Sequence, residues 1–255
     1  MIFRAAGVAA LALIGAGVAR RARAVAAVPA ELRGPLLWVP LSVGSRAEVA
    51  AGRRIFGNLG TAPVAGVTVT QVQIAGGQEA LVYEPETRVR PSGALLWIHG
   101  GGFIMGRPEA DNELCSQIAR DLGILVVSAR YRLAPEHPFP AALDDCTAAL
   151  RYLHAQADAL GVDSARIAVG GGSAGGGLAA SVAQRATDEG LATAFQLLVY
   201  PMLDDRTATR RDHAGRGRLG WTPRSNRWAW SAYLGHHVRS DESRPYAAPA
   251  RREDL

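Results

Sequence analysis

Largely apolar runs, each long enough for one strand, recur along the middle of the chain and constrain its fold more than any other feature. They lie at 94–100, 123–131, 166–171 and 194–201. A strand that is apolar along its whole length is typical of a sheet buried on both faces, whereas a strand with one wet face alternates. Helical segments separate the runs. The pattern therefore predicts an α/β fold, with a mostly parallel sheet covered by helices on both faces.

The segments around these runs complete the predicted order. Residues 67–75 alternate with period two and 79–85 follow after a Gly-Gly turn, which predicts an antiparallel hairpin at a sheet edge. The segment 108–122 is a predicted helix with leucine or isoleucine at every fourth position from 114 onward. Two further helices are predicted, over 141–160 and 174–187. After residue 201 no run of four apolar residues predicts another strand.

Composition bears on the partners and cofactors of the chain. Its 28 basic residues exceed the 23 acidic ones, but all are arginine and they are scattered from Arg4 to Arg252. A nucleic-acid surface would gather them on one segment, so we expect no nucleic-acid partner. Cys115 and Cys146 have no second ligand at metal spacing, and the histidines form no HExxH pattern. We therefore expect no metal and no cofactor.

The first 27 residues are apolar and rich in arginine. Residues 5–19 form a run of Ala, Gly, Val, Leu and Ile between flanking arginines. A membrane span needs about 20 residues. Arginines also separate the run from the nearest small-x-small site at 24–26, which is unlike a signal peptide. We expect a cytoplasmic protein. The alternatives are membrane association or anchoring through residues 5–19, and export.

The stretch AVGGGSAGGGLAA at 168–180 follows an apolar run and opens a predicted helix. It matches the dinucleotide-binding pattern GxGxxG from Gly170 to Gly175, but that pattern usually follows the first strand of its unit. It also matches GxSxG, which places Ser173 on a sharp strand-to-helix turn where residues without side chains let the hydroxyl project. We favour the second interpretation. A dinucleotide-binding oxidoreductase is the remote alternative.

A second glycine loop, HGGGF at 99–103, directly follows an earlier predicted strand. Acyl transfer to a serine needs at least two backbone N–H donors for the tetrahedral oxygen. One donor is the residue after the nucleophile, here Ala174, and the others come from such a loop. The two motifs, at the two points that the topology requires, predict a serine hydrolase.

With these motifs the sequence resembles the hormone-sensitive-lipase-like carboxylesterases, bacterial family IV, of the α/β-hydrolase superfamily. The resemblance extends from residue 28 to 255. Four stretches carry it: LLWIHGGGFIMG (95–106), ARYRLAPEHPFPAALDD (129–145), RIAVGGGSAGGGLAA (166–180) and FQLLVYPMLDD (195–205). It implies an α/β-hydrolase domain at 66–255, with cap helices from 28–65 and from an insertion at 202–240. The activity implied is hydrolysis of small-molecule esters with short to medium acyl chains.

The resemblance also implies roles for individual residues. Ser173 would be the nucleophile, supported by His99 and Gly100 in the second glycine loop. The oxyanion donors would be Gly101, Gly102 and Ala174. Four aromatic residues would line the acyl pocket, although a role in the core suits them equally: Phe103, Trp221, Trp228 and Tyr233. At Gly172 many relatives carry an acidic residue instead.

The remaining triad residues are not found where the family places them. There the acid lies in a DPLxDE-like motif and the histidine in an HGF-like motif, after the last two strands, and this sequence contains neither. Asp204 or Asp205 could supply an acid, whereas His213, His236 and His237 lie in the cap insertion. We expect a chain truncated at its C-terminus, with an exposed apolar sheet edge and impaired esterase activity. The alternative is a non-catalytic acyl- or ester-binding protein derived from an esterase. No oligomeric state is predicted.

Overall fold

The computed structural model describes residues 17–39, 42–57, 59–74, 76–191, 193–238 and 244–254. Most of the apolar run 5–19 lies outside the described residues. The α-helices of the described part are α1 (17–26), α2 (Arg46–Phe56), α3 (Asn112–Leu122), α4 (Ala141–Ala155), α5 (Ala157–Leu160), α6 (Ala174–Asp188) and α7 (Pro223–Leu234). Its strands are β1 (Val67–Ile74), β2 (Gln78–Pro85), β3 (Ser92–Ile98), β4 (Leu125–Arg130), β5 (Val162–Gly172) and β6 (Phe195–Val199).

The strands form one sheet in the order β1-β2-β4-β3-β5-β6. The pairs β4–β3, β3–β5 and β5–β6 are parallel, whereas β1–β2 and β2–β4 are antiparallel. This confirms the mostly parallel sheet and the hairpin at its edge. Gly76 and Gly77 turn the hairpin at φ of 84° and 78°, values that glycine adopts without strain.

Both faces of the sheet are buried at β3, β4 and the end of β5, as the apolar runs predicted, whereas β6, predicted from the same kind of run, is exposed or half-buried along its length. Along β3, Leu96 and Ile98 point into the larger core with α4 and α6, while Leu95 and Trp97 point into a smaller cluster beneath α3. Such alternation between two buried faces explains why the strand is apolar throughout.

Helix α3 packs through a different stripe from the one its leucines suggested. Leu114 and Leu122 are exposed, and the buried residues are Cys115, Ser116 and Ala119. Small side chains on this stripe let the helix lie close to β2 and β4, which the longer leucines would prevent. The helix therefore covers the β2–β4 half of its face.

Strand β6 forms the edge of the sheet and is paired only with β5 among the described strands. The Phe195 side chain is 62% exposed, and Leu197 and Val199 are half-buried. An apolar edge strand was expected from the sequence.

The predicted helix 141–160 is interrupted at Gln156 and ends at Gly161, whose φ of 61° is left-handed.

The described parts of the two predicted cap segments contact each other. The Ser42 and Thr222 hydroxyls are 3.0 Å apart, and the amide of Val43 donates to Ser225 Oγ at 3.0 Å. The helices of the described residues are all too short or too polar to cross a membrane.

Candidate active site

Ser173 lies on the turn between β5 and α6 with a backbone conformation that is rare for a residue with a side chain. Its φ is 56° and its ψ is −118°. Hydrogen bonds hold it there: its amide donates to the Val199 carbonyl at 2.9 Å, and its carbonyl accepts from Met202 at 2.9 Å and Gly177 at 3.1 Å. The turn is thereby fixed to the end of β6 and to the first turn of α6.

The glycines on either side of Ser173 are required by close backbone contacts. A Cβ at Gly175 would lie 2.0 Å from the Ile98 carbonyl oxygen, and a Cβ at Gly171 would lie 2.5 Å from the same atom. The turn therefore presses directly on the end of β3. Gly172 differs, because its Cβ would have no neighbour nearer than 3.7 Å, the Tyr200 hydroxyl.

The second glycine loop lies directly against this turn. A Cβ at Gly100 would be 3.1 Å from the Gly172 carbonyl oxygen and 3.5 Å from Ser173 Cβ. Gly101 and Gly102 have φ of 121° and 63°, and the Gly101 carbonyl accepts from residues 104 and 105. In the described part of the chain, the amides of these two glycines donate no hydrogen bond.

Ala174 is the first residue of α6, so helical bonding leaves its amide without a partner. The N-terminal end of a helix carries a partial positive charge. Free N–H groups at this position and in the loop 100–102 are chemically suited to bind a negatively charged oxygen beside Ser173.

His99 supports the glycine loop from within the core. Its side chain is buried, its Nδ1 is 2.7 Å from the Gly100 carbonyl oxygen, and its ring stacks on Tyr131 at 4.3 Å. Burial lowers the pKa of His99 to about 4, so the ring is neutral at neutral pH. Because a carbonyl oxygen only accepts, the proton of this neutral ring is on Nδ1.

The four aromatic residues suggested for the acyl pocket lie in three different places. Trp221 contacts the glycine loop, since a Cβ at Gly102 would be 2.3 Å from its ring. Phe103 and Tyr233 are buried in the core and stack on each other with ring centroids 4.1 Å apart. Trp228 faces a separate cavity of about 740 Å³.

A cavity of about 350 Å³ opens beside Ser173. Its lining includes His99 and Gly100, together with two residues that the sequence did not indicate, Asp111 and Tyr200. Asp111 accepts a hydrogen bond from Trp97 Nε1 at 2.8 Å, and burial raises the pKa of its carboxyl group. Its place just before α3 is the only sequence signal that could have indicated it.

The candidate acids and bases of the sequence have other partners or lie elsewhere. Asp205 is buried and forms a two-point ion pair with Arg251, at 2.6 and 2.9 Å. Asp204 accepts from the backbone and side chain of Arg206. The histidines at 236 and 237 line the Trp228 cavity. Among the described residues, no side chain is hydrogen-bonded to Ser173 Oγ, and no three potential metal ligands are grouped together.

A strained serine at a strand-to-helix turn, beside a glycine loop on a mostly parallel sheet, defines an α/β-hydrolase-type protein. The family model for the alpha/beta hydrolase fold matches residues 95–255. The chain belongs to this family, in its hormone-sensitive-lipase-like branch, and not to a dinucleotide-binding fold.

Several relatives of the chain are named as ester hydrolases. An ethyl acetate hydrolase of Pseudomonas putida is 37% identical over 158 residues, which are 61% of this chain and 49% of that protein. The carboxylic ester hydrolase LipN of Mycobacterium tuberculosis is 38% identical over 201 residues, 74% of this chain and 52% of its own. The solved structure of a bacterial heroin esterase has a TM-score of 0.74 and 35% identity, covering 92% of this chain and 74% of that one. The matched stretches span about half the length of these two curated relatives.

Proposed function

We propose that this chain carries the nucleophile and oxyanion site of a carboxylester hydrolase that acts on small esters with short to medium acyl chains. The observation that carries the proposal is the geometry of Ser173, held at positive φ directly against the glycine loop 100–102. The esterase names of its relatives support the same reaction class.

In the proposed reaction, Ser173 Oγ attacks the ester carbonyl carbon and the carbonyl oxygen becomes negatively charged. The amides of Gly101, Gly102 and Ala174 donate to that oxygen. Because these N–H groups are free and fixed beforehand, they stabilise the charge without reorganising. Collapse of the intermediate releases the alcohol and leaves an acyl-enzyme on Ser173, which water then hydrolyses.

Both steps need a group that accepts the proton of Ser173 or of the water and then donates it to the leaving oxygen of the alcohol or of Ser173. His99 is unsuited to this, since its Nδ1 is bonded to the Gly100 carbonyl and its low pKa makes it a weak base. With no side-chain partner for Ser173 Oγ among the described residues, we propose that the 255-residue chain turns over slowly. Sites that keep an oxyanion hole but lack a working triad retain about 10³- to 10⁴-fold acceleration over water.

The test is covalent labelling with a fluorophosphonate together with hydrolysis of p-nitrophenyl esters of increasing chain length. We expect Ser173→Ala to abolish both, while the matched control Ser164→Ala, an exposed serine on β5, retains both. The rate should fall from butyrate to palmitate. Labelling and hydrolysis that persist in Ser173→Ala would contradict the proposal.

A non-catalytic acyl- or ester-binding protein is the second candidate. The observation that favours it is that no side chain in the described part of the chain is hydrogen-bonded to Ser173 Oγ. The two candidates differ in one measurement. If the wild-type chain binds a fluorescent fatty acyl ester and neither labels nor hydrolyses it, the binding function replaces the catalytic one.

A further inference from the structure

The described N-terminal segment 17–39 exposes an unusual share of large apolar side chains. Trp38 is 54% exposed, and Val18, Leu32 and Val39 are exposed as well. Single exposed apolar residues are normal on a protein surface, but a concentration of them in one segment marks an interaction surface.

The same segment is strongly cationic. It contains Arg20, Arg21, Arg23 and Arg33 against one acidic residue, Glu31. Within the described residues, none of these four arginines forms an ion pair. Arg21 and Arg33 instead donate to the backbone carbonyls of Leu37 and Val28, each at 2.7 Å, which leaves their charge uncompensated.

Apolar and cationic groups share one cleft of about 810 Å³ in this segment. Its apolar lining includes Val18 and Trp38, and its basic residues are Arg20, Arg21, Arg23 and Arg218. Arg218 comes from the loop that leads to Trp221, the residue that contacts Gly102. The cleft is therefore joined, through a short length of chain, to a residue that contacts the glycine loop.

We propose that this surface docks on an anionic lipid bilayer. Arginines on a partly apolar helical segment bind the headgroups of anionic lipids, while tryptophan and aliphatic side chains enter the boundary between headgroups and acyl chains. The phosphates of a nucleic acid would bind the arginines, but a nucleic acid has no apolar interior that could bury Val18, Leu32 and Val39. The proposal does not depend on whether Ser173 turns over.

Co-sedimentation of the full chain with vesicles tests this surface. We expect binding to phosphatidylcholine vesicles that contain phosphatidylglycerol, and much weaker binding to phosphatidylcholine alone or at high salt. Each arginine near an anionic surface contributes roughly fivefold in affinity, so Arg20→Gln with Arg23→Gln should weaken binding about 25-fold. Trp38→Ser should weaken vesicle binding at low salt and at high salt alike.

The matched control is Arg120→Gln with Arg166→Gln, which removes two exposed arginines of α3 and β5. It should bind vesicles as the wild type does. Three outcomes would overturn the proposal: no binding to anionic vesicles, binding that the N-terminal substitutions leave unchanged, or binding to a DNA duplex in place of vesicles. Circular dichroism of each variant separates lost binding from lost folding.

Discussion

The two glycine-rich segments beside Ser173 use the same residue for different physical reasons. In the turn 170–175 the key glycines have ordinary φ, and a side chain is excluded because its Cβ would lie as near as 2.0 Å to a backbone oxygen of β3. In the loop 100–102, Gly101 and Gly102 have positive φ, and the obstacle at Gly102 is the Trp221 side chain. One segment is fixed by backbone contacts, and the other depends partly on side chains.

The difference suggests which segment can adjust. A backbone contact inside a close-packed sheet cannot be relieved without moving the strand. A contact with a side chain can be relieved by a rotamer change, and the buried imidazole of His99 makes the loop sensitive to protonation. We therefore expect the turn to tolerate no substitution at its contact points and the loop to respond to pH and to its neighbours.

The largest expected effect is that of Gly175→Ala. The added methyl group would meet the Ile98 carbonyl oxygen at 2.0 Å and the His99 carbonyl oxygen at 2.4 Å, so β3 and α6 must separate. Core changes of this severity cost more than about 4 kcal/mol of unfolding free energy. Urea unfolding followed by circular dichroism measures the loss.

The matched control for this change is Gly172→Ala in the same turn. Its Cβ would meet nothing nearer than 3.7 Å, so we expect a change within about 0.5 kcal/mol. Equal losses at positions 172 and 175 would show that the turn is not fixed by its contact with β3.

Most of the sheet could be predicted from the sequence because each strand has its own local signal. Alternation and a Gly-Gly turn predicted β1 and β2, and apolar runs predicted β3 to β6, all to within a few residues. The closeness of Ser173 to the loop 100–102 could be inferred in the same way. The two follow the neighbouring parallel strands β5 and β3, whose carboxyl ends meet at one edge of the sheet.

Features set by packing could not be predicted. Close packing against β2 and β4 decides which stripe of α3 faces the sheet. Small side chains are therefore buried there, and the regularly spaced leucines are exposed. Likewise Trp221 and Trp228 are seven residues apart on one segment, yet only Trp221 contacts the loop. Asp111 lines the cavity because of the path of the chain before α3, and apart from its position before that helix no local pattern indicates this.

A smaller effect is expected from the titration of His99. Its pKa is about 4 in the folded protein against an ordinary 6.5, so as pH falls the unfolded chain binds the proton first. The stabilisation from a neutral His99 is complete above pH 6.5 and is lost as pH falls toward 4. A pKa difference of this size corresponds to about 3 kcal/mol of unfolding free energy. Unfolding free energies measured across this range test it.

The comparison that isolates His99 is the variant His99→Asn, whose unfolding free energy should fall less between pH 6.5 and 4.5 than that of the wild type. His137→Asn, at an exposed position, controls for removing a histidine. Parallel curves for the wild type and His99→Asn would mean that His99 takes up a proton as readily in the folded protein as in the unfolded chain, and that the loop is not held by a buried neutral ring.

The smallest expected effect, Gly102→Ala, tests whether the loop can be relieved where the turn cannot. Alanine at φ of 63° costs about 1 to 2 kcal/mol, and displacing the Trp221 ring adds to this. In Gly102→Ala with Trp221→Ala, the displaced ring is gone, so the combined loss should be smaller than the sum of the single losses by about 1 kcal/mol. No side-chain truncation can do the same for Gly175→Ala, because its obstacles are backbone oxygens. Losses at 102 and 221 that simply add would place the Trp221 ring out of contact with the loop in solution.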